Sequence, residues 1–313
     1  MKKNKRLWIV LGVVIVLVVI GACVGTMALV SLVTGEGMAL GDAVAIVRVE
    51  GVILTGSPPA SPFDGSGGAY SDQVIEHLKQ AQEDSSVKAI VLRVNSPGGS
   101  AVASDEIYQQ MLKMDKPVVA SMGELAASGG YYVSAPADLI MANPATLTGS
   151  IGVITQMTNL EELMEKIGVE VVVIKSGIHK DEGSPFREMT EEEKAIWQAI
   201  IDEAYGQFVA IVAEGRDLPE EKVREIADGR VYTGQQAMAL GLVDELGNLP
   251  EAIDRAAELG GIEGEPRLVE YHRPPTLFEA FFSSWANPFQ PFDLARLLDL
   301  AGRPSLQYLY VEP

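Results

Sequence analysis

The chain has 313 residues, 47% of them hydrophobic, which is enough for one large or two small domains with a real core. Its formal net charge is −19, and because Lys2, Lys3, Lys5 and Arg6 all precede the first acid, Glu36, everything after them is more acidic still. That balance argues against a nucleic-acid partner. A lone cysteine, Cys23, and only three histidines, His77, His179 and His272, argue against a disulfide framework or a His/Cys metal centre, so no cofactor is expected.

Residues 1–6 are basic, and Leu7 to Val33 carry no charge. The run is long enough to span a bilayer and longer than the apolar region of an ordinary signal peptide. The expectation is a single-pass anchor over 7–33 with a cytoplasmic N-terminus and an acidic domain outside the cytoplasm. Ile20-Gly21-Ala22-Cys23 loosely matches a lipidation site, but the apolar run continues beyond it, which favours the uncleaved anchor.

A short linker, 34–42, leads to the globular part. Ala43 to Leu54 reads as a buried strand turning at Gly51, and the Pro- and Gly-rich stretch 55–71 as a surface loop. A helix is expected near 72–83, an apolar strand over 89–92, a turn at Asn95-Ser96-Pro97-Gly98-Gly99 and a helix over 103–114. The strand, turn and helix order repeats: strand 118–121, helix from Ser128, strands 139–142 and 152–154, helix 160–167, strand 170–174. Such alternation argues for an α/β domain with largely parallel strands and sites at strand ends. From Thr190, with acids in the first turn, a long helix follows, then shorter ones near 219–227, 234–240 and 250–260. Residues 263–313 differ in kind: five of eight phenylalanines, with Trp285, crowd into 278–292. That tail has to bury its aromatics against its own domain, another subunit or the membrane surface. Its last residues, 306–311, alternate like a strand, and one expectation is that they enter a substrate groove by strand addition.

The stretch from Gly123 to Tyr132 places Ser128 on a strand-to-helix turn between small residues, where backbone or substrate can come close to its hydroxyl and free N–H groups favour negative charge. This is a setting for a nucleophile, and equally for a capping serine in a close-packed turn. None of the three histidines has an evident carboxylate partner. A lysine is the other base for a serine, provided burial leaves its amine neutral. Lys180, in the loop after the 170–174 segment, is a candidate whose burial the sequence does not establish.

Taken together and in order, Asn95-Ser96-Pro97-Gly98-Gly99, Ala127-Ser128-Gly129-Gly130-Tyr131-Tyr132, Thr148-Gly149-Ser150-Ile151-Gly152-Val153 and Lys175-Ser176-Gly177-Ile178-His179-Lys180-Asp181 resemble the signal peptide peptidase A family. These are membrane-anchored serine proteases of the Clp protease/crotonase-like superfamily, and the match, over about 43–262, is to the short, single-copy type. The resemblance implies a ββα superhelix, Ser128 as nucleophile, Lys180 as general base and Ser150 as the hydroxyl that holds the lysine amine. Backbone N–H groups of Gly98 and Gly99 would form the oxyanion hole. It further implies hydrophobic peptide substrates such as cleaved signal peptides, and a homo-oligomer; with one copy of the motif set, whether the site is complete within one chain or is completed by neighbouring subunits stays open. The domain plan is therefore 1–6 basic terminus, 7–33 anchor, 34–42 linker, 43–262 peptidase domain and 263–313 aromatic tail. Two rival readings are a peptide-binding membrane scaffold without catalysis and a crotonase-like acyl-CoA enzyme. The acidity of the domain argues against the second, and the presence of both Ser128 and Lys180 against the first.

Overall fold

The computed structural model describes residues 41–58, 68–271 and 307–309. The expected basic terminus, anchor, Cys23 and aromatic cluster all lie outside these residues. Among the described residues, no helix is long and apolar enough to cross a membrane.

The described residues from Asp42 onward form one compact unit. Its main sheet is built on β1 (Ala43–Glu50), β4 (Val87–Ser96), β6 (Val118–Ala127) and β7 (Leu139–Ala142), all parallel neighbours. Two short strands, β10 (Glu245–Leu246) and β11 (Arg267–Glu270), close its edges in parallel. The end of β6 is prolonged by β8 (Leu147–Gly149), parallel to it, with β9 (Val231–Thr233) antiparallel on the outside.

The sequence of β1 explains why this sheet is buried on both faces. Side chains alternate along a strand, and Ala43, Ala45, Val47 and Val49 enter one core while Val44 and Ile46 enter the other. The larger core lies under α1 (Ser71–Glu83), α2 (Ala101–Met111), α3 (Gly129–Ser134) and the long α5 (Glu191–Gly215). On the opposite face, α8 (Leu249–Leu259) sets Ala252, Ala256 and Ala257 against Ala89, Val91, Val119 and Met141. Small residues let this helix approach closely, and Pro250 with an Asn248–Glu251 capping box fixes its start. A sheet covered on both faces is the reason β1, β4 and β6 read as continuous apolar runs.

A second, four-stranded sheet lies at the carboxyl ends of these strands: β12 (Gln307–Leu309), β5 (Gly98–Ser100), β2 (Val52–Leu54) and β3 (Gly68–Tyr70), in that order. Its β3 falls inside the stretch expected to be all loop. Two expected strands do not form. Gly152–Ile154 makes no strand beyond an isolated bridge at Ile154, because the pairing with β6 is made by β8 instead, and residues 170–174 pair with nothing among the described residues. The remaining helices are α4 (Glu161–Ile167), α6 (Glu220–Ile226) and α7 (Gly234–Ala239). Beyond residue 263 the chain adds β11 beside β1 and β12 beside β5.

Candidate active site

Three strand ends converge on Ser128. It follows directly on β6 and is the N-cap of α3, with φ 54 and ψ −116. That backbone is sparsely populated for a side-chain-bearing residue and costs about 1–3 kcal/mol, a strain found where a site needs it. Ser128 is 1% exposed, and its Oγ is buried with no hydrogen-bond partner. An orphaned buried hydroxyl calls for explanation, and an attacking group awaiting a base is one.

The neighbouring turn belongs to Ser150. Register between β6 and β8 puts Ala127 opposite Gly149, and Ser128 N–H donates to Gly149 O at 2.8 Å. The two serines therefore follow the ends of adjacent parallel strands. Ser150 also has positive φ, 49, and is 7% exposed, with its N–H donating to Arg230 O at 2.8 Å. It lines a cavity of about 600 Å³ with Val153, Ile201, Asp202, Tyr205 and Asp228.

The third strand end carries Asn95 to Ser100. Asn95 Oδ1 accepts from Leu125 N–H at 3.1 Å, and Ser96 Oγ accepts from Gly98 N–H at 3.0 Å, so the turn is tied to β6 and to itself. Gly98 has φ 95, and a Cβ there would collide with the carbonyl oxygen of Tyr308 and stand 2.5 Å from the Gly129 nitrogen. The close approach, not only the turn, demands glycine. Gly98 N–H is already engaged by Ser96, whereas the strand pairing sets Gly99 opposite Tyr308.

Lys180 stands apart. It is exposed, in a turn closed by its own N–H donating to Gly177 O at 3.2 Å, and its Nζ bonds to neither Ser128 nor Ser150. The loop around it is held by Arg187, which bridges Asp181 and Glu193, while Lys175 Nζ reaches Asp181 at 2.6 Å. The Arg187 hydrogen bonds hold both carboxyls well below their ordinary range, Glu193 at about 2. The preceding stretch is apolar and open to solvent: Val172 is 76% and Ile174 97% exposed, with Val171, Val173 and Ile178 also exposed.

Sequence reasoning missed an aromatic box. Tyr132 and Phe208 have ring centroids 5.0 Å apart, Tyr108 lies edge-on to Tyr132 at 5.6 Å, and Tyr308 stacks on Tyr132 at 4.9 Å. Tyr132 OH donates to Asp105 Oδ1 at 3.0 Å, and burial raises the Tyr132 phenol far above its usual value. The signal was present in Tyr131-Tyr132, two aromatics following a glycine pair, but a buried tyrosine beside a turn reads as ordinary core.

The family model for peptidase family S49 matches residues 110–263, and that for Clp protease matches 66–148. A Synechocystis sp. relative that carries a protease name is 46% identical over 229 residues, 72% of this chain and 77% of that protein. Protease 4 of Haemophilus influenzae is 41% identical over 222 residues, which are 69% of this chain but 34% of its own length. Serine protease SPPA, chloroplastic, of Arabidopsis thaliana is 39% identical over 241 residues, 75% of this chain and 35% of that protein. Among solved structures, a ClpP1 mutant from Listeria monocytogenes aligns with 16% identity and a TM-score of 0.43, covering 66% of this chain and 94% of that one.

Proposed function

The chain belongs to peptidase family S49, and from that membership we propose that it is a membrane-anchored serine endopeptidase with a Ser128/Lys180 dyad on a Clp protease/crotonase-like ββα framework. Its substrates are hydrophobic peptides such as cleaved signal peptides. The observation that carries the reading is Ser128: strained, buried and unpartnered at the end of β6, beside a turn that only glycine can make. The apolar, uncharged run 7–33 supports anchoring through the N-terminal segment with the catalytic domain outside the cytoplasm.

In this mechanism Lys180 takes the proton of Ser128 Oγ, which adds to the substrate carbonyl carbon. The oxyanion meets the backbone N–H of Gly99 and, once it exchanges Ser96 Oγ for the substrate, that of Gly98. Protonated Lys180 then gives its proton to the leaving amine, and water hydrolyses the acyl-enzyme. A lysine in water is an ammonium and no base, so the dyad requires that Lys180 be buried. We assign that burial to a second copy of the chain. The exposed apolar stretch from Val171 to Ile178 is the kind of surface that oligomers cover, and it carries Lys180 with it. The cavity beside Ser150 offers a hydroxyl to receive the amine.

The test is peptide turnover and fluorophosphonate labelling of the native chain against Ser128→Ala, Lys180→Ala and Ser150→Ala. Label on Ser128, and loss of turnover by about 10⁴-fold or more in both dyad variants, is the expected result. Native turnover in Lys180→Ala would move the base elsewhere, and a native chain that neither labels nor cuts would end the peptidase reading.

A further inference from the structure

We propose that His179 is a positioning residue for Lys180: by occupying the carboxyls of Glu182 and Glu192, it leaves the Lys180 amine unpaired and free to act as a base. The inference rests on the Ser128/Lys180 reading above.

The observation is how the charges of this segment are matched. Lys175 and Arg187 share Asp181, Arg187 also holds Glu193, and Lys194 pairs with Glu191 at 2.6 Å. His179 takes the next two carboxyls. Its Nδ1 stands 3.9 Å from Glu182 Oε2 and its Nε2 3.9 Å from Glu192 Oε1. Lys180, between His179 and Asp181 in the chain, is left with no carboxylate partner among the described residues. The sequence showed no carboxylate partner for any histidine; the turn and α5 supply two for this one.

A lysine in an exposed turn, beside an aspartate and two residues from a glutamate, has a flexible stem that reaches either. Glu182 is the nearest rival for its amine. That side chain is only 15% exposed, and its Oε1 is buried with no hydrogen-bond partner. A carboxyl oxygen shut away from water without a donor is costly, and an ammonium would relieve it. Were Lys180 to supply that ammonium, the pairing would hold its amine protonated, the wrong state for a base.

The ring is placed to prevent this. A group with a nitrogen on each side can face two carboxyls at once, and here they come from two elements. Glu182 belongs to the turn itself, closed by its N–H donating to His179 O at 3.2 Å and by Lys180 N–H donating to Gly177 O at 3.2 Å. Glu192 comes from the first turn of α5. The imidazole is therefore a tie to α5 separate from that of Arg187. Residue 180 is held through both neighbours, and its stem rests against Gly177, where a Cβ would be 3.7 Å from Lys180 Cγ.

The experiment measures kcat and KM of the full chain from about pH 5 to 10 for the native protein, His179→Gln, His179→Arg and the triple variant His179→Gln/Glu182→Gln/Glu192→Gln, with Lys180→Ala as control. In His179→Gln the acid limb of the kcat profile is expected to move up by about half a pH unit, a roughly threefold loss along that limb, with KM and the alkaline plateau unchanged. His179→Arg, a permanent cation, is expected to keep the native limb. The triple variant is expected to return to it, because the freed carboxyls are gone. A loosened turn would instead lower kcat at every pH, and removing two more side chains would not repair it. His179→Gln with a native limb, or a uniform loss that the triple variant shares, overturns the inference while the dyad stands. A Lys180→Ala chain as active as the native one overturns the dyad and the inference with it.

Discussion

Gly98 tests the site at the scale of one residue. Its φ of 95 and the collision that a methyl group would make with a strand in the groove are two independent reasons for glycine. Gly98→Ala keeps its N–H but is expected to lower peptide turnover on the order of 100-fold or more, because the methyl group fills the space of a bound strand's carbonyl, and to lower the melting temperature as well, since the same methyl would stand 2.5 Å from the Gly129 nitrogen. Thermal melting beside steady-state kinetics checks it, and an active Gly98→Ala would remove this turn from the groove. Ser128 and Ser150 illustrate how far single residues were legible. Ser128 was singled out by the small residues around it and Ser150 through the family resemblance of its motif, and both occupy positive-φ backbone at strand ends. What no sequence window could show is that Ala127 and Gly149 are cross-strand partners, because that register comes from the pairing of β6 with β8.

At the scale of elements, the apolar runs that became β1, β4, β6 and β7 were readable because a sheet buried on both faces leaves no alternation to misread. The capping box at Thr190 likewise marked the start of α5. The failures share a cause. Val171, Val172, Val173 and Ile174 have strong β-propensity, but a strand exists only with a partner, and none of the described strands reaches them. The aromatic box was missed because its walls come from α2, α3 and α5 and its occupant from β12, more than a hundred residues from Tyr132 in the chain.

The loop that carries Lys180 has its own element-scale prediction. Arg187 clamps it to α5 through Asp181 and Glu193, whose folded-state pKa values are depressed. For a depressed carboxyl, the stabilisation is in place above the ordinary carboxylate value and is lost as pH falls toward the folded one. Hydrogen exchange of residues 175–190 is therefore expected to be steady from pH 7 down to about 5 and to accelerate, after correction for the intrinsic rate, below about pH 4. Arg187→Ala should show the accelerated rate at pH 7. A loop equally protected at pH 3 and pH 7 would contradict the clamp.

Across the whole molecule, one chain supplies the groove and Ser128, the proposed nucleophile, but presents Lys180, the proposed base, beside an exposed apolar segment. Ser128 lies at the centre of the sheet ends, whereas Lys180 follows a stretch in which Ile174 is 97% exposed. Five large aliphatics from Val171 to Ile178 are exposed, and in the proposed assembly a second copy covers them. The acidic surface does not oppose such an assembly, since the uncovered stretch is locally apolar and ends in Lys175 and Lys180.

The most direct measurement mixes two dead variants. Ser128→Ala and Lys180→Ala chains are unfolded together, refolded as a mixture and assayed for peptide turnover, with each refolded alone as control. If Lys180 of one copy serves Ser128 of another, random mixing restores activity toward about a quarter of the native value. If the mixture assembles as the native chain does and stays as inactive as its parts, the base is not shared between copies and the account of this site is wrong.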